Sequence, residues 1–104
     1  MLNIKDIWSR NVRLTDERLN HLETSHPEMR GQLDKIQEAL SDPEKVVRSI
    51  TDEKVELFYR HHRTTPVTSK FICVVVKNSV DEKFVVTAYF TDTVKRGEVL
   101  WEKK

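Results

Sequence analysis

"VELFYRHHRTTPVTSKFICVVVKNSVDEKFVVTAYF", residues 55–90, contains three apolar runs separated by two polar connections. In "VELFYRH" the period is two, which places Val55, Leu57 and Tyr59 on one face of a strand and Glu56, Phe58 and Arg60 on the other. "FICVVVK" (71–77) is β-branched and apolar on both faces, the pattern of a central strand. "NSVDE" (78–82) is a turn. "KFVVTAYF" (83–90) then sets Phe84, Val86, Ala88 and Phe90 on one face and Val85, Thr87 and Tyr89 on the other. Just upstream, "KVVRSI" (45–50) is a short strand and "TDEK" (51–54) a turn. Strands that follow one another this closely pair as an antiparallel meander of about four strands. The tail "GEVLWEKK" (97–104) reads as a short added strand or a docked chain end, through Val99, Leu100 and Trp101.

Ahead of the strands the period is helical. In "LTDERLNHLETSH" (14–26), Thr15 is an N-cap, and Asp16 and Glu17 suit the positive end of a helix dipole. Leu14 and Leu19 have the spacing of a hydrophobic staple, and Leu22 extends their face. The helix should stop near Ser25, because the residue before Pro27 disfavours helical geometry. "HPEMRGQLDKIQEAL" (26–40) reads as a second helix with Pro27 in its first turn. Met29, Leu33, Ile36 and Leu40 form its apolar stripe, and "SDP" (41–43) ends it. Two helices followed by adjacent strands define an α+β fold with both helices on one sheet face. The opposite face should then be half polar, carrying Arg60, Thr87 and Tyr89, and is the place to look for a site. Trp8 and Trp101 read as core anchors.

With 104 residues the expectation is one domain spanning 1–104. No apolar run approaches the roughly 20 residues that cross a bilayer, which argues against membrane partners. "MLNIKDIWSR" has an acid and no continuous apolar core, unlike a signal peptide. Cys73, the single cysteine, has no internal disulfide partner, so a reducing, cytoplasmic setting fits and the thiol reads as a small buried hydrophobe. Net charge is +1 but uneven. Residues 1–56 hold 9 basic and 12 acidic side chains, residues 57–104 hold 9 and 5. Whole-chain charge does not announce a nucleic-acid binder, while the acid-free run of Arg60, Arg63 and Lys70 permits one.

His61 and His62 are adjacent and face apart on a strand, and His21 and His26 straddle a helix end, so neither pair reads as a metal site. No phosphate loop, dinucleotide turn or nucleophile elbow is present. What remains suits phosphate chemistry without a metal or other cofactor. RNA cleavage through its own 2′-hydroxyl needs a base, an acid and cations on the developing phosphate charge. His21 and His26 supply the acid or base, Arg60 a bidentate phosphate grip, and Thr87 and Tyr89 hydroxyl donors and a stacking ring. Each also has a plainer role: His21 as a polar helix position, His26 as a cap before Pro27, Arg60 as a partner of Glu56, and Thr87 and Tyr89 as ordinary strand residues.

The pieces "VRLTDERLNHLETSHPEM", "DPEKV", "LFYRHH", "FICVVVK" and "FVVTAYFTDTVKRGEVLWEK" in this order span residues 12–103. Their succession resembles the small phage and bacterial domains grouped as barnase–EndoU–colicin–RelE-like (BECR) nucleases, the PBECR type in particular. The resemblance implies a helices-then-sheet fold and a metal-independent, toxin-like endoribonuclease, with RNA as substrate and an antitoxin-like protein as partner. It points to His21 in "LNHL", His26 in "HPE", Arg60 in "FYR", and Thr87 and Tyr89 in "TAY". The net charge departs from the strongly basic balance of RNA-cutting toxins. The rival reading is a non-catalytic module that binds protein or nucleic acid through the basic hairpin mouth, using Arg63 and Lys70. A third is a hydrolase of an unrelated small substrate. The nuclease reading requires a histidine within about 4–6 Å of Arg60 and close to Thr87 or Tyr89.

Overall fold

A computed structural model describes residues 1–63, 65–68 and 71–104. Along the chain run β1 (Leu2–Lys5), β2 (Asn11–Leu14), α1 (Asp16–Ser25), a 3₁₀ turn (Pro27–Met29), α2 (Leu33–Ser41), β3 (Lys45–Arg48), β4 (Val55–His61), β5 (Phe71–Asn78), β6 (Lys83–Thr91) and β7 (Glu98–Glu102). The α+β class and the two helices agree with the sequence pattern. The strand count does not. The sheet has seven strands in the order β1-β2-β6-β5-β4-β3-β7, and it is mixed, because β2 pairs parallel with β6. The antiparallel meander β3-β4-β5-β6 forms its middle. Each flank adds strands. At one, the hairpin β1–β2 docks beside the start of β6, pairing Val12 with Lys83 and Arg13 with Phe84. At the other, β7 runs antiparallel to β3.

Alternation sorts the strand residues into two unlike faces. Val46, Phe58, Ile72, Val74, Ala88 and Phe90 face the helices and form one core with Leu22, Met29, Ile36, Ala39 and Leu40. α1 lies along β6, while α2 lies over β4 and β5 and touches β1. The opposite face carries no helix. There Val47, Leu57, Tyr59 and Cys73 are buried, with Val55, Phe71, Val75, Tyr89 and Val94 packed around them. A bulge at Val75/Val76 pairs Val75 with Thr87 but Val76 with Val85, which leaves Val86 without an opposite residue. Val85, rather than Val86, therefore joins Ala88 and Phe90 in the helix-side core.

α1 is capped as its sequence demands: the Thr15 hydroxyl accepts from the Arg18 N–H at 3.1 Å. It ends when the His26 N–H donates to Leu22 O, one residue before Pro27. The second helix is shorter than its apolar stripe suggests. Pro27 opens only a 3₁₀ turn, and Gly31 adopts φ +75°, a left-handed geometry that no right-handed helix continues through. Met29 is still fully buried, but from the 3₁₀ turn.

Between β6 and β7, which run parallel, the chain crosses the helix-free face. Val94 packs into that face, and the Lys95 N–H donates to the Tyr59 hydroxyl at 3.1 Å. Gly97 then passes so close to β3 that an added Cβ would sit 2.2 Å from Arg48 O and 2.7 Å from Val47 Cγ1. Among the described residues, no helix is long and apolar enough to cross a membrane.

Candidate active site

The free edge of β6 beyond its pairing with β2 is filled by the α1–α2 junction, whose 3₁₀ turn contacts β6. This brings His26 to the margin of the helix-free face. Its imidazole lies 5.7 Å from the Tyr89 ring, centroid to centroid, at an interplanar angle of 32°. Nδ1 stands 3.5 Å from Glu28 Oε1. Glu28 is a residue the sequence pattern does not single out. Its only trace there is its place two residues after His26 in "HPE".

Tyr89 is one of three side chains in a row across three strands: Tyr59 on β4, Cys73 on β5 and Tyr89 on β6. Burial, reinforced by Cys73, pushes the Tyr89 phenol well above its usual range, and burial does the same to Tyr59. Both phenols therefore stay protonated at any ordinary pH. Burial also pushes the Cys73 thiol up to about 11, against the hydrogen bonds it shares with both tyrosines. The free thiol is thus inert at neutral pH. Thr87, partly exposed, occupies the neighbouring row with Val75 and Leu57.

The other predicted residues lie elsewhere. Arg60 pairs with Ile72, which pairs with Phe90, so it lies on the helix side and not with Thr87 and Tyr89. Sequence alternation alone assigns the Phe58 side of β4 to the polar face; it is the side that α2 covers. There the Arg60 guanidinium donates to the Asp42 carbonyl at 2.6 Å and its carboxylate at 2.9 Å, and Nε stands 3.3 Å from Glu38. Glu56 is not its partner, being engaged by Arg10 at 2.6 Å. His21 is exposed on the outer side of α1, beside Arg18 and Thr24. Arg63 is exposed in the β4–β5 connection, and Lys70 lies outside the described residues. His61 packs edge-on against Phe71, while His62 is under the influence of Lys35 and Arg60 on the helix side. Among the described residues, no three His, Cys, Asp or Glu side chains are grouped to hold a metal. The structure thus joins His26 with Tyr89, adds Glu28, leaves Thr87 close by, and separates Arg60 and His21 from them.

In comparisons with known proteins, no family model, no curated protein and no solved structure matches the chain.

Proposed function

We propose that the chain is a metal-independent endoribonuclease acting on the helix-free face of its sheet. The observation that carries this reading is the His26–Tyr89 pair, an imidazole 5.7 Å from an aromatic ring at the margin of that face, with the Glu28 carboxylate 3.5 Å from its Nδ1. The resemblance of the sequence to BECR nucleases supports the same class. His26 Nε2 takes the proton of the RNA 2′-hydroxyl. The 2′ oxygen bonds to phosphorus, the bond to the 5′ oxygen breaks, and that oxygen is protonated from water. The Tyr89 ring, tilted 32° from the imidazole, presents an aromatic surface to a base, and Thr87 offers a hydroxyl to a phosphate oxygen. Arg60 and His21 have no part in this arrangement. A reducing, cytoplasmic setting belongs to the same reading, since the thiol is free and buried.

The test is incubation of purified protein with total tRNA and mRNA in the presence of a chelator. Wild type should yield fragments ending in 2′,3′-cyclic phosphate. His26→Ala should lose about 10²–10⁴-fold, the range for a general base. His21→Ala should cut at the wild-type rate. No cleavage by wild type, or equal cleavage by His26→Ala, sinks the mechanism.

A further inference from the structure

The connection between β6 and β7 does more than cross the sheet. Where it reaches β3, it closes a pocket of about 360 Å³ lined by Ser49, Ile50, Thr51, Leu57, Lys95 and Arg96. Its apolar part is supplied by Leu57 and by Ile50, which is 75% exposed. Its polar part is two hydroxyls 3.1 Å apart, on Ser49 and Thr51. The rim is the exposed pair Lys95 and Arg96, neither of which has an ion-pair partner among the described residues. Arg13, Arg48 and Arg60 pair with Glu82, Glu98 and Asp42, so what sets Lys95 and Arg96 apart is that two such cations lie side by side at one pocket. Two cations left uncompensated above an apolar floor match a ligand that is anionic at one end and flat and apolar at the other.

Position identifies that ligand further. Leu57 pairs with Val75 and Val75 with Thr87, so one row of side chains leads from the pocket to the candidate site. The span is two strand spacings, about 10 Å. The floor between is partly exposed Val75, with no helix above it.

We infer that this pocket is a nucleotide subsite for single-stranded RNA, taking a base on Ile50 and Leu57 and a phosphate on Lys95 and Arg96, next to the bond cut at His26. The inference rests on the endoribonuclease reading for its ligand and extends it with a second point of attachment. Gly97 holds the rim in place, because only a residue without Cβ lets the connection approach β3 this closely.

The experiment measures fluorescence anisotropy of a labelled 2′-O-methyl oligonucleotide, which cannot be cleaved through its 2′ position. It is run beside cleavage of the matching RNA. Arg96→Glu should weaken oligonucleotide binding by ~10-fold or more and reduce the salt slope by roughly 0.7, the amount expected when one phosphate is no longer neutralised. Ile50→Asp should weaken binding comparably while leaving melting unchanged, since both residues are exposed. His21→Ala, exposed on α1, should bind as wild type does. Binding that depends on Arg96 and Ile50 with no cleavage by any form upholds the subsite and removes the nuclease. Cleavage whose KM is indifferent to both substitutions overturns the subsite and leaves the nuclease standing. Equal competition by polyglutamate also overturns it, since charge alone would then account for binding.

Discussion

Cys73 and Gly97 show how far single residues are fixed by their surroundings. Cys73 is fully buried between two tyrosines, with its thiol pushed up to about 11. A thiol reagent at neutral pH should therefore leave the folded protein unmodified and label it fully in urea, as mass spectrometry would show. Labelling of the native protein within minutes would mean that the face opens. At Gly97, added volume meets backbone on one side and a β-branched side chain on the other. Gly97→Ala should lower stability by about 1–3 kcal/mol in denaturant titrations, the range for overpacking that only the main chain can relieve. The burial of Cys73 was legible in its apolar run. The demand on Gly97 was not, because a glycine between two charged residues looks like any turn until β3 is placed beside it. Arg60 failed for a related reason. Alternation assigned it correctly to the side opposite Tyr59, but one strand alone cannot say which side a helix will cover.

Among the elements, the meander strands and α1 could be read because each carries enough residues for its period to show. β1 and β2 could not. They are four residues each, and in "LNIK" and "NVRL" the buried positions are only Ile4, Val12 and Leu14. Their place comes from a tie distant in sequence. The Asp6 carboxylate accepts from the backbone N–H groups of Trp8 and Arg10 and from Arg10 Nε at 2.7 Å. Arg10 then reaches across to Glu56 on β4, with its guanidinium 4.6 Å above the Trp8 ring, and Trp8 meets Phe58 edge-on. Asp6 and Glu56 are only 4% and 7% exposed, so removing the arginine strands two buried carboxylates. Arg10→Met should cost on the order of 3 kcal/mol, and adding Glu56→Gln should restore part of it, a coupling that a double-mutant cycle in urea would measure. Additive effects would show that the hairpin is held by its apolar packing alone. The second helix makes the same point from the other side. Its stripe from Met29 to Leu40 is real as burial, but Gly31 divides it, and periodicity is blind to a single φ.

For the whole molecule, stability should follow pH in two stages, each traceable to ties between distant parts of the chain. Asp42, after α2, accepts from Lys103 near the chain end and from Arg60 on β4, and those hydrogen bonds hold its carboxyl below the usual range. Asp52 is lowered in the same way by Lys77 and the Lys54 N–H. A carboxyl depressed by folding adds stability at neutral pH and loses it on acidification, because the unfolded chain takes the proton first, near ~4. Both groups are exposed, so solvent screening keeps this stage shallow. His62 acts at higher pH. Burial lowers its pKa, Lys35 on α2 and Arg60 and His61 on β4 lower it further, Glu38 opposes them, and its Nε2 is buried without a hydrogen-bond partner among the described residues. The folded state thus favours the neutral imidazole, the unfolded chain protonates near ~6.5, and stability should begin to fall as pH drops below that value. Melting temperatures from pH 8 to pH 3 should show both declines. His62→Gln should remove the upper one and keep the lower, whereas Asp42→Asn should weaken the lower and keep the upper. If His62→Gln leaves the decline between pH 7 and pH 5 intact, the imidazole is not held against α2.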